Sequence, residues 1–324
     1  MEQNLTVKNK WAEKDHKWQI IEERKYMWNQ SQIDRLASVM GLSPGMTVAD
    51  IGCGLGYLGW TYWKHFGKHG TYIGVDCSDS LMSEAREISV EWSTSGNANF
   101  ITGNCYDIPI DDGSVDLTMC QTLLMHLEFP EKAIREMIRI TKPGGIVVCK
   151  ELDSISRYLR LGFSSVNEDA NIDDIIFQRR MKLIWIHGRK MLGFGDYGIG
   201  ARVPKMMQEA GLKEISGFCR DKLEFLVPPY DEPEQKSRIE IIERFAGEST
   251  EEEKQESKEN YKKYYLAGSG DPISFEKDYS RLTELFRTEQ ENRLKQITDD
   301  TLFSCSGGSN FFCIFGRKPC FKNN

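Results

Sequence analysis

The chain has 324 residues, 40% of them apolar and 28% charged, with a formal net charge of −7. That length suits one large core with insertions or two modest domains, and no apolar run reaches the ~20 residues needed to cross a bilayer. The acidic balance argues against a nucleic-acid backbone as the main partner, because such proteins usually present a basic face. Taken in chain order, residues 1–45 interleave Trp11, Trp18, Tyr26 and Trp28 with charges at helical spacing, and Ser43-Pro-Gly45 closes the segment. A helical flap is expected there. Its first residues, Met1-Glu-Gln-Asn, lack the basic and apolar regions of a signal peptide, so cytoplasmic residence is the expectation.

Val48-Ala-Asp-Ile-Gly-Cys-Gly-Leu-Gly-Tyr-Leu-Gly59, followed by Tyr72-Ile-Gly-Val-Asp76, reads as a buried strand, a glycine turn, a helix and a second strand ending in a carboxylate. Gly52, Gly54 and Gly56 let the backbone turn sharply and approach a ligand, and Asp76 stands where a ribose diol would be bound. Gly54-x-Gly56-x-x-Gly59 also satisfies the dinucleotide fingerprint, a weak signal by itself. Asp50 separates the alternatives: a carboxylate at the end of the first strand would repel a pyrophosphate but suits a ligand carrying an ammonium group.

From these residues onward the chain resembles the class I S-adenosylmethionine-dependent methyltransferases. The resemblance continues through Thr102–Leu117, similar to the loop after that family's third strand, and through Leu117–His126, similar to its fourth strand. Ala133–Thr141 with Lys142-Pro-Gly-Gly-Ile-Val-Val-Cys149 resembles a helix, turn and fifth strand, and Val203–Leu212 the helix before strand six. Asn310-Phe-Phe-Cys-Ile-Phe-Gly-Arg-Lys318 is similar to the closing strand. The resemblance implies an α/β fold, a Rossmann-like seven-stranded mostly parallel sheet with helices on both faces, and a core over 46–230 and 300–320. Two further pieces are expected: an acceptor-side insertion over 154–202, and a helical insertion over 231–299 that would cap the site or form a dimerisation arm. The 154–202 segment is aromatic and basic, with Tyr158, Phe163, Phe177, Trp185, His187, Phe194 and Tyr197. Gly193–Gly200 within it lacks the strand-then-helix context of a phosphate loop and reads as a mobile loop. Leu223–Pro229 is expected near strand six, and Glu251–Glu259 as a solvated helix face or linker.

The implied cofactor is S-adenosyl-L-methionine, with S-adenosyl-L-homocysteine as product and a small-molecule methyl acceptor as partner. Its implied contacts are Asp50, Gly52, Gly54, Tyr57, Asp76, Cys77, Asn104, Cys105 and Gln121. Asn104 stands where the family carries an acidic residue against the adenine amino group, and an amide oxygen can still accept there. Arg24 or Tyr26 could reach the methionine carboxylate, or belong to an aromatic stripe packed on the core. Methyl transfer is mostly alignment and exclusion of water, and a general base matters only where the acceptor must lose a proton. Candidates are His187, His126, Glu151, Tyr197 and Asp153. Each has a plainer alternative: a helix-face His187 near Trp185, a hydrogen-bonding His126, carboxylates that cap a turn.

The nine cysteines form no Cys-x-x-Cys pair. They are expected as buried thiols, and Cys305, Cys313 and Cys320 fit no zinc spacing, so no metal is expected. Pro228-Pro-Tyr230 lies too far downstream to be the motif of amino-methylating nucleic-acid enzymes. A nicotinamide-dependent oxidoreductase would share the glycines and Asp76 but has no need of Asp50. A non-catalytic cofactor-binding protein or partner subunit is the other alternative, and a homodimer is possible within either reading.

Overall fold

The computed structural model describes residues 21–155, 162–220, 222–247, 250–306 and 311–320. Trp11, Trp18, Tyr158 and Asn310 lie outside them. The chain forms two compact units, one of residues 1–153, 198–220 and 311–324, the other of 154–197 and 221–310.

The first unit is a seven-stranded sheet: β1 (Thr47–Ile51), β2 (Thr71–Asp76), β3 (Asn97–Thr102), β4 (Val115–Gln121), β5 (Thr141–Leu152), β7 (Lys213–Cys219) and β10 (Phe311–Arg317), in the order β3-β2-β1-β4-β5-β10-β7. Strands β1 to β5 pair in parallel, whereas β10 runs antiparallel to both β5 and β7. β1 and β4 are buried nearly throughout, as strands covered on both faces must be, and carry Asp50, Thr118 and Gln121 as buried polar residues. Helix α1 (Gln30–Val39) starts where the Asn29 side chain accepts from the Gln32 amide at 2.7 Å. α2 (Tyr57–Phe66) follows the glycine turn, and α3 (Asp79–Ser89) is capped by Ser78. α4 (Pro130–Ile140) buries Ala133, Ile134, Met137 and Ile140, a stripe at helical spacing, and carries proline in its tolerated first turn. The core of this unit runs from Trp28, Leu36 and Met40 through Tyr62, Phe66 and Tyr72 to Phe311 and Phe315.

One expected strand moves. The sheet's edge strand is β7, while Leu223–Pro229 contributes β8 (Glu224–Leu226) to a separate three-stranded sheet, ordered β6-β9-β8 with β6 (Phe163–Ser164) and β9 (Ser304–Ser306). β7 eluded the sequence reading because it buries no residue fully, so Lys213-Glu-Ile-Ser-Gly-Phe-Cys219 lacks an apolar signature.

The second unit joins the two segments expected as separate pieces. α5 (Ile172–Met191) packs with α8 (Glu251–Ala267) and α9 (Phe275–Thr298) around Phe177, Met181, Tyr265, Phe275 and Leu282. A second cluster joins Leu226 of β8, Tyr230, Ile297 and Leu302 to Ile239 and Ile242 of α7 (Pro233–Arg244), the intervening α6 (Val203–Glu209) belonging to the first unit. Gly188 lets α5 and α8 touch through their backbones, because a Cβ there would fall 1.7 Å from the Tyr264 carbonyl oxygen. The charge run opens α8 as an exposed helix turn closed by a capping box between Thr250 and Glu253. Between Gly193 and Gly200, Asp196 is buried and bonded to Lys190 at 2.9 Å. No helix of the described residues is long and apolar enough to cross a membrane.

Candidate active site

The carboxyl ends of β1, β2, β3 and β4 bring most of the expected cofactor residues to one edge of the sheet, where open α/β sheets bind ligands. After β1 the chain turns through Gly52 (φ 70°), Gly54 (φ 53°) and Gly56 (φ 81°), left-handed conformations that favour glycine. A Cβ on Gly52 would lie 2.8 Å from a Leu123 methyl carbon, so the turn also has no room for a side chain. Asp76 anchors it: its carboxylate accepts from the Gly54 amide and the Ser78 amide, both at 3.1 Å. Each carboxylate oxygen keeps acceptor capacity for a diol.

Asp50 is 1% exposed. One of its oxygens accepts from the Tyr72 hydroxyl at 2.7 Å, and the other has no partner among the described residues. Burial pushes this carboxyl up to about 7, offset in part by the Tyr72 bond and by the positive charges of Arg24 and Lys150. Gln121, at the end of β4, is also buried; its amide nitrogen faces the Met27 sulfur at 3.6 Å, and its carbonyl oxygen has no partner among the described residues. Two orphaned buried acceptors at one strand edge are the mark of a site built for a ligand that donates hydrogen bonds.

The segment before α1 meets this edge. An Arg24 guanidinium nitrogen donates to the Thr122 hydroxyl at 2.9 Å, its head lies 5.4 Å from the Tyr57 ring centroid, and the Tyr57 hydroxyl donates to the Arg24 carbonyl at 2.5 Å. Tyr26 is half-buried in the same segment. Cys77 is exposed in the turn after β2 and Asn104 in the turn after β3, where its side chain accepts from the Tyr106 amide at 3.0 Å. Cys105 beside it is half-buried, and burial pushes its thiol up to about 12.

The acid–base candidates disperse. Glu151 is fully buried and accepts from the amides of Leu123, Leu124 and Met125 at 3.0, 2.8 and 3.3 Å, capping the short 3₁₀ turn Leu124–His126. Burial pushes its carboxyl up to about 7 against those three bonds. His126 is half-buried in that turn, and Asp153 is buried at the end of β5. His187 and Tyr197 belong to the helical unit. His187 is exposed on α5, and it is Tyr197 that meets Trp185, with ring centroids 5.7 Å apart.

Two features escaped the sequence reading. Thr122 has φ 52°, a genuine outlier for a β-branched residue, and sits directly after β4 where Arg24 docks. Lys150 is 0% exposed on β5; its ammonium donates to the Tyr62 hydroxyl at 2.8 Å and lies 4.1 Å from the Trp28 ring centroid. Burial pulls its pKa down to about 8. Among the described residues no three His, Cys, Asp or Glu side chains group as a metal would require.

A family model described as a methyltransferase domain matches residues 42–211, more than half of the chain. An uncharacterised methyltransferase of Schizosaccharomyces pombe is 34% identical over 114 residues, covering 34% of this chain and 41% of that protein. The ubiquinone/menaquinone biosynthesis C-methyltransferase of Idiomarina loihiensis is 28% identical over 125 residues, covering 39% and 48%. The chain thus spans about half, or less, of the length of these curated relatives. The YcgJ protein of Bacillus subtilis superposes with a TM-score of 0.46 at 15% identity, covering 90% of this chain and 99% of that one. With the glycine turn, the carboxylate after β2 and the strand order already in place, the match over residues 42–211 establishes that this chain belongs to the methyltransferase-domain family, of the class I S-adenosylmethionine-dependent type.

Proposed function

We propose that the protein transfers a methyl group from S-adenosyl-L-methionine to a small or medium-sized organic acceptor. The observation that carries this reading is the pair of unpartnered buried acceptors, Asp50 and Gln121, beside the glycine turn. They suit a ligand presenting an ammonium group, and they do not suit a pyrophosphate. Asp76 would hold the ribose hydroxyls, the turn residues Cys77, Asn104 and Cys105 would border the adenine, and Arg24 would face the methionine carboxylate with Tyr57 and Tyr26 beside it. When bound, the cofactor supplies a methyl carbon already made electrophilic by its sulfonium. The chain's own part is orientation and exclusion of water, which together supply much of the barrier reduction in such displacements.

The Idiomarina loihiensis relative is named for C-methylation in ubiquinone and menaquinone biosynthesis, and this chain is proposed to act likewise on a small molecule. Glu151 is proposed as a positioning residue, since its carboxylate holds the turn after β4, and His126 as part of that turn. The test is the melting temperature of the full chain with S-adenosylhomocysteine, S-adenosylmethionine and NAD in parallel, where a ligand at about 100 times its Kd adds about 2.7 kcal/mol. A rise with the two sulfur nucleosides alone supports the reading. A rise with NAD alone sinks it, and methyl-donor binding without turnover on any acceptor would favour a non-catalytic subunit.

A further inference from the structure

Among the described residues the helical unit holds a cation, Arg189, with no ion pair. On α5, Lys182, Trp185 and Arg189 follow one another at helical spacing and form a single stripe. Arg189 is half-buried among four rings: its guanidinium carbon lies 4.7 Å from the Tyr197 centroid, 5.1 Å from Trp185, 5.5 Å from Tyr264 and 5.9 Å from Phe194. The rings brace one another edge-on, Trp185 against Tyr197 and Tyr264, and Phe194 against Tyr264. Further cations lie on the same rings, Lys182 at 4.2 Å from Trp185 and Lys263 at 4.9 Å from Phe194. The nearby carboxylate Asp196 is bonded instead to Lys190.

Among the described residues Arg189 makes one hydrogen bond, to the Phe194 carbonyl at 2.9 Å, and no ion pair, and its buried Nε–H has no partner. A guanidinium that is fixed, partly desolvated and short of acceptors is preorganised for a bidentate anion, and a flat aromatic wall favours an apolar body attached to that anion. The backbone contact at Gly188 fixes the arrangement, because it sets α5 against α8 and brings Tyr264 to Trp185 and Arg189.

We propose that Arg189, walled by Trp185, Phe194, Tyr197 and Tyr264, binds the carboxylate or phosphate group of an aromatic or otherwise apolar organic acid. That this acid is the methyl acceptor rests on the function proposed above; the anion site itself does not.

The test uses the full chain with benzoate, phenyl phosphate and neutral benzamide as probes, read by calorimetry and by melting temperature, for the unaltered protein, Arg189→Gln and Arg189→Lys. Saturable binding of benzoate or phenyl phosphate is expected, with benzamide at least tenfold weaker; the better anion distinguishes a carboxylate from a phosphoryl acceptor. Arg189→Gln should weaken the anion at least tenfold. Arg189→Lys, which keeps the charge and loses the fork, should weaken it severalfold, and it serves alone if the glutamine variant does not fold. The response to S-adenosylhomocysteine should be the same in all three. Benzamide binding as tightly as benzoate, no saturable anion binding, or anion binding unaltered in both variants would overturn the proposal. Anion binding that persists without any response to S-adenosylhomocysteine would instead overturn the cofactor reading and leave this site standing.

Discussion

The sheet unit and the helical unit solve the problem of polar groups in opposite ways. In the sheet unit the ionisable side chains near the glycine turn are buried and answer one another: Asp50 with Tyr72, Lys150 with Tyr62, Glu151 with three backbone amides, Arg24 with Thr122. In the helical unit charge stays largely at the surface, as in the Arg287 pairs with Glu284 and Glu291, and the interior is aromatic. Buried, mutually dependent charges are tuned and easily upset, whereas exposed pairs contribute ~0–1 kcal/mol each. Function should therefore be fragile at single residues in the sheet unit, and at packing contacts in the helical one.

The largest test of that contrast is Gly188→Ala. With the Tyr264 carbonyl only 1.7 Å from the new Cβ, α5 and α8 must separate, and a loss of about 3 kcal/mol in stability is expected at the upper end of overpacking effects. Urea unfolding would measure it, and unchanged cofactor affinity in the folded variant would show that the two units fail separately. Next comes Asp76→Ala, which removes the proposed ribose partner and the anchor of the Gly54 amide. Cofactor affinity should fall by about 1.5–3 kcal/mol, and the ligand-free protein should melt somewhat lower because the Gly54 and Ser78 amides lose their acceptor; equal affinity by calorimetry would mean that the carboxylate has been misassigned.

Lys150→Met is a smaller and more specific change. The buried ammonium is the weakest of the influences on Asp50, after Tyr72 and Arg24, so its loss should raise the Asp50 pKa slightly further and weaken cofactor binding at pH 7 by less than the roughly tenfold that one full pKa unit gives, with recovery as pH rises. Affinity that is uniformly lower at every pH would point to lost packing against Trp28 instead.

Asp50→Asn gives the corresponding pH signature in the ligand-free protein. The folded carboxyl titrates near 7 and an unfolded one near 4, so between those values the native state binds more protons than the unfolded state. The Asp50 contribution to the unfolding free energy therefore falls as pH rises from about 4 to about 7. The asparagine variant, whose amide oxygen can still accept from Tyr72, should lose less stability over that window. Parallel pH profiles for the two proteins would refute the assignment. The smallest effect is expected in the helical unit, where Thr250→Ala removes the capping box of α8 and should lower stability by about 1 kcal/mol.

The same contrast explains what could be read from the chain beforehand. The glycine turn, Asp50 and Asp76 are local: their meaning depends on residues within one strand-turn-helix-strand, and the sheet placed them as expected. Lys150 bears on Asp50 from a hundred positions away, because β4 pairs with both β1 and β5, an arrangement that no short pattern encodes. Thr122 carries no mark in the sequence of its left-handed backbone, because threonine is among the last residues expected there. In the helical unit the apolar spacing of Arg238–Phe245 and Tyr279–Phe286, in α7 and α9, is legible helix by helix, and α8 shows in the sequence as a charge run. The joining of α5, α8 and α9 is not, since Phe177 and Met181 meet Tyr265, Phe275 and Leu282 only across the segment that returns to the sheet. His187 illustrates the same gap: its helix could be read, but the face it occupies could not.

The position of β10 has a kinetic consequence. Among the described residues strand β7 pairs only with β10, which follows it by nearly a hundred residues. During synthesis, Lys213–Cys219 is therefore made long before its partner, and β5 likewise waits with one edge bare. Contacts so distant in sequence slow folding and leave strand edges open to wrong partners. Sheet completion in this protein is thus a late event, and the stretch between β7 and β10, which holds three helices and most of the helical unit, has time to fold first.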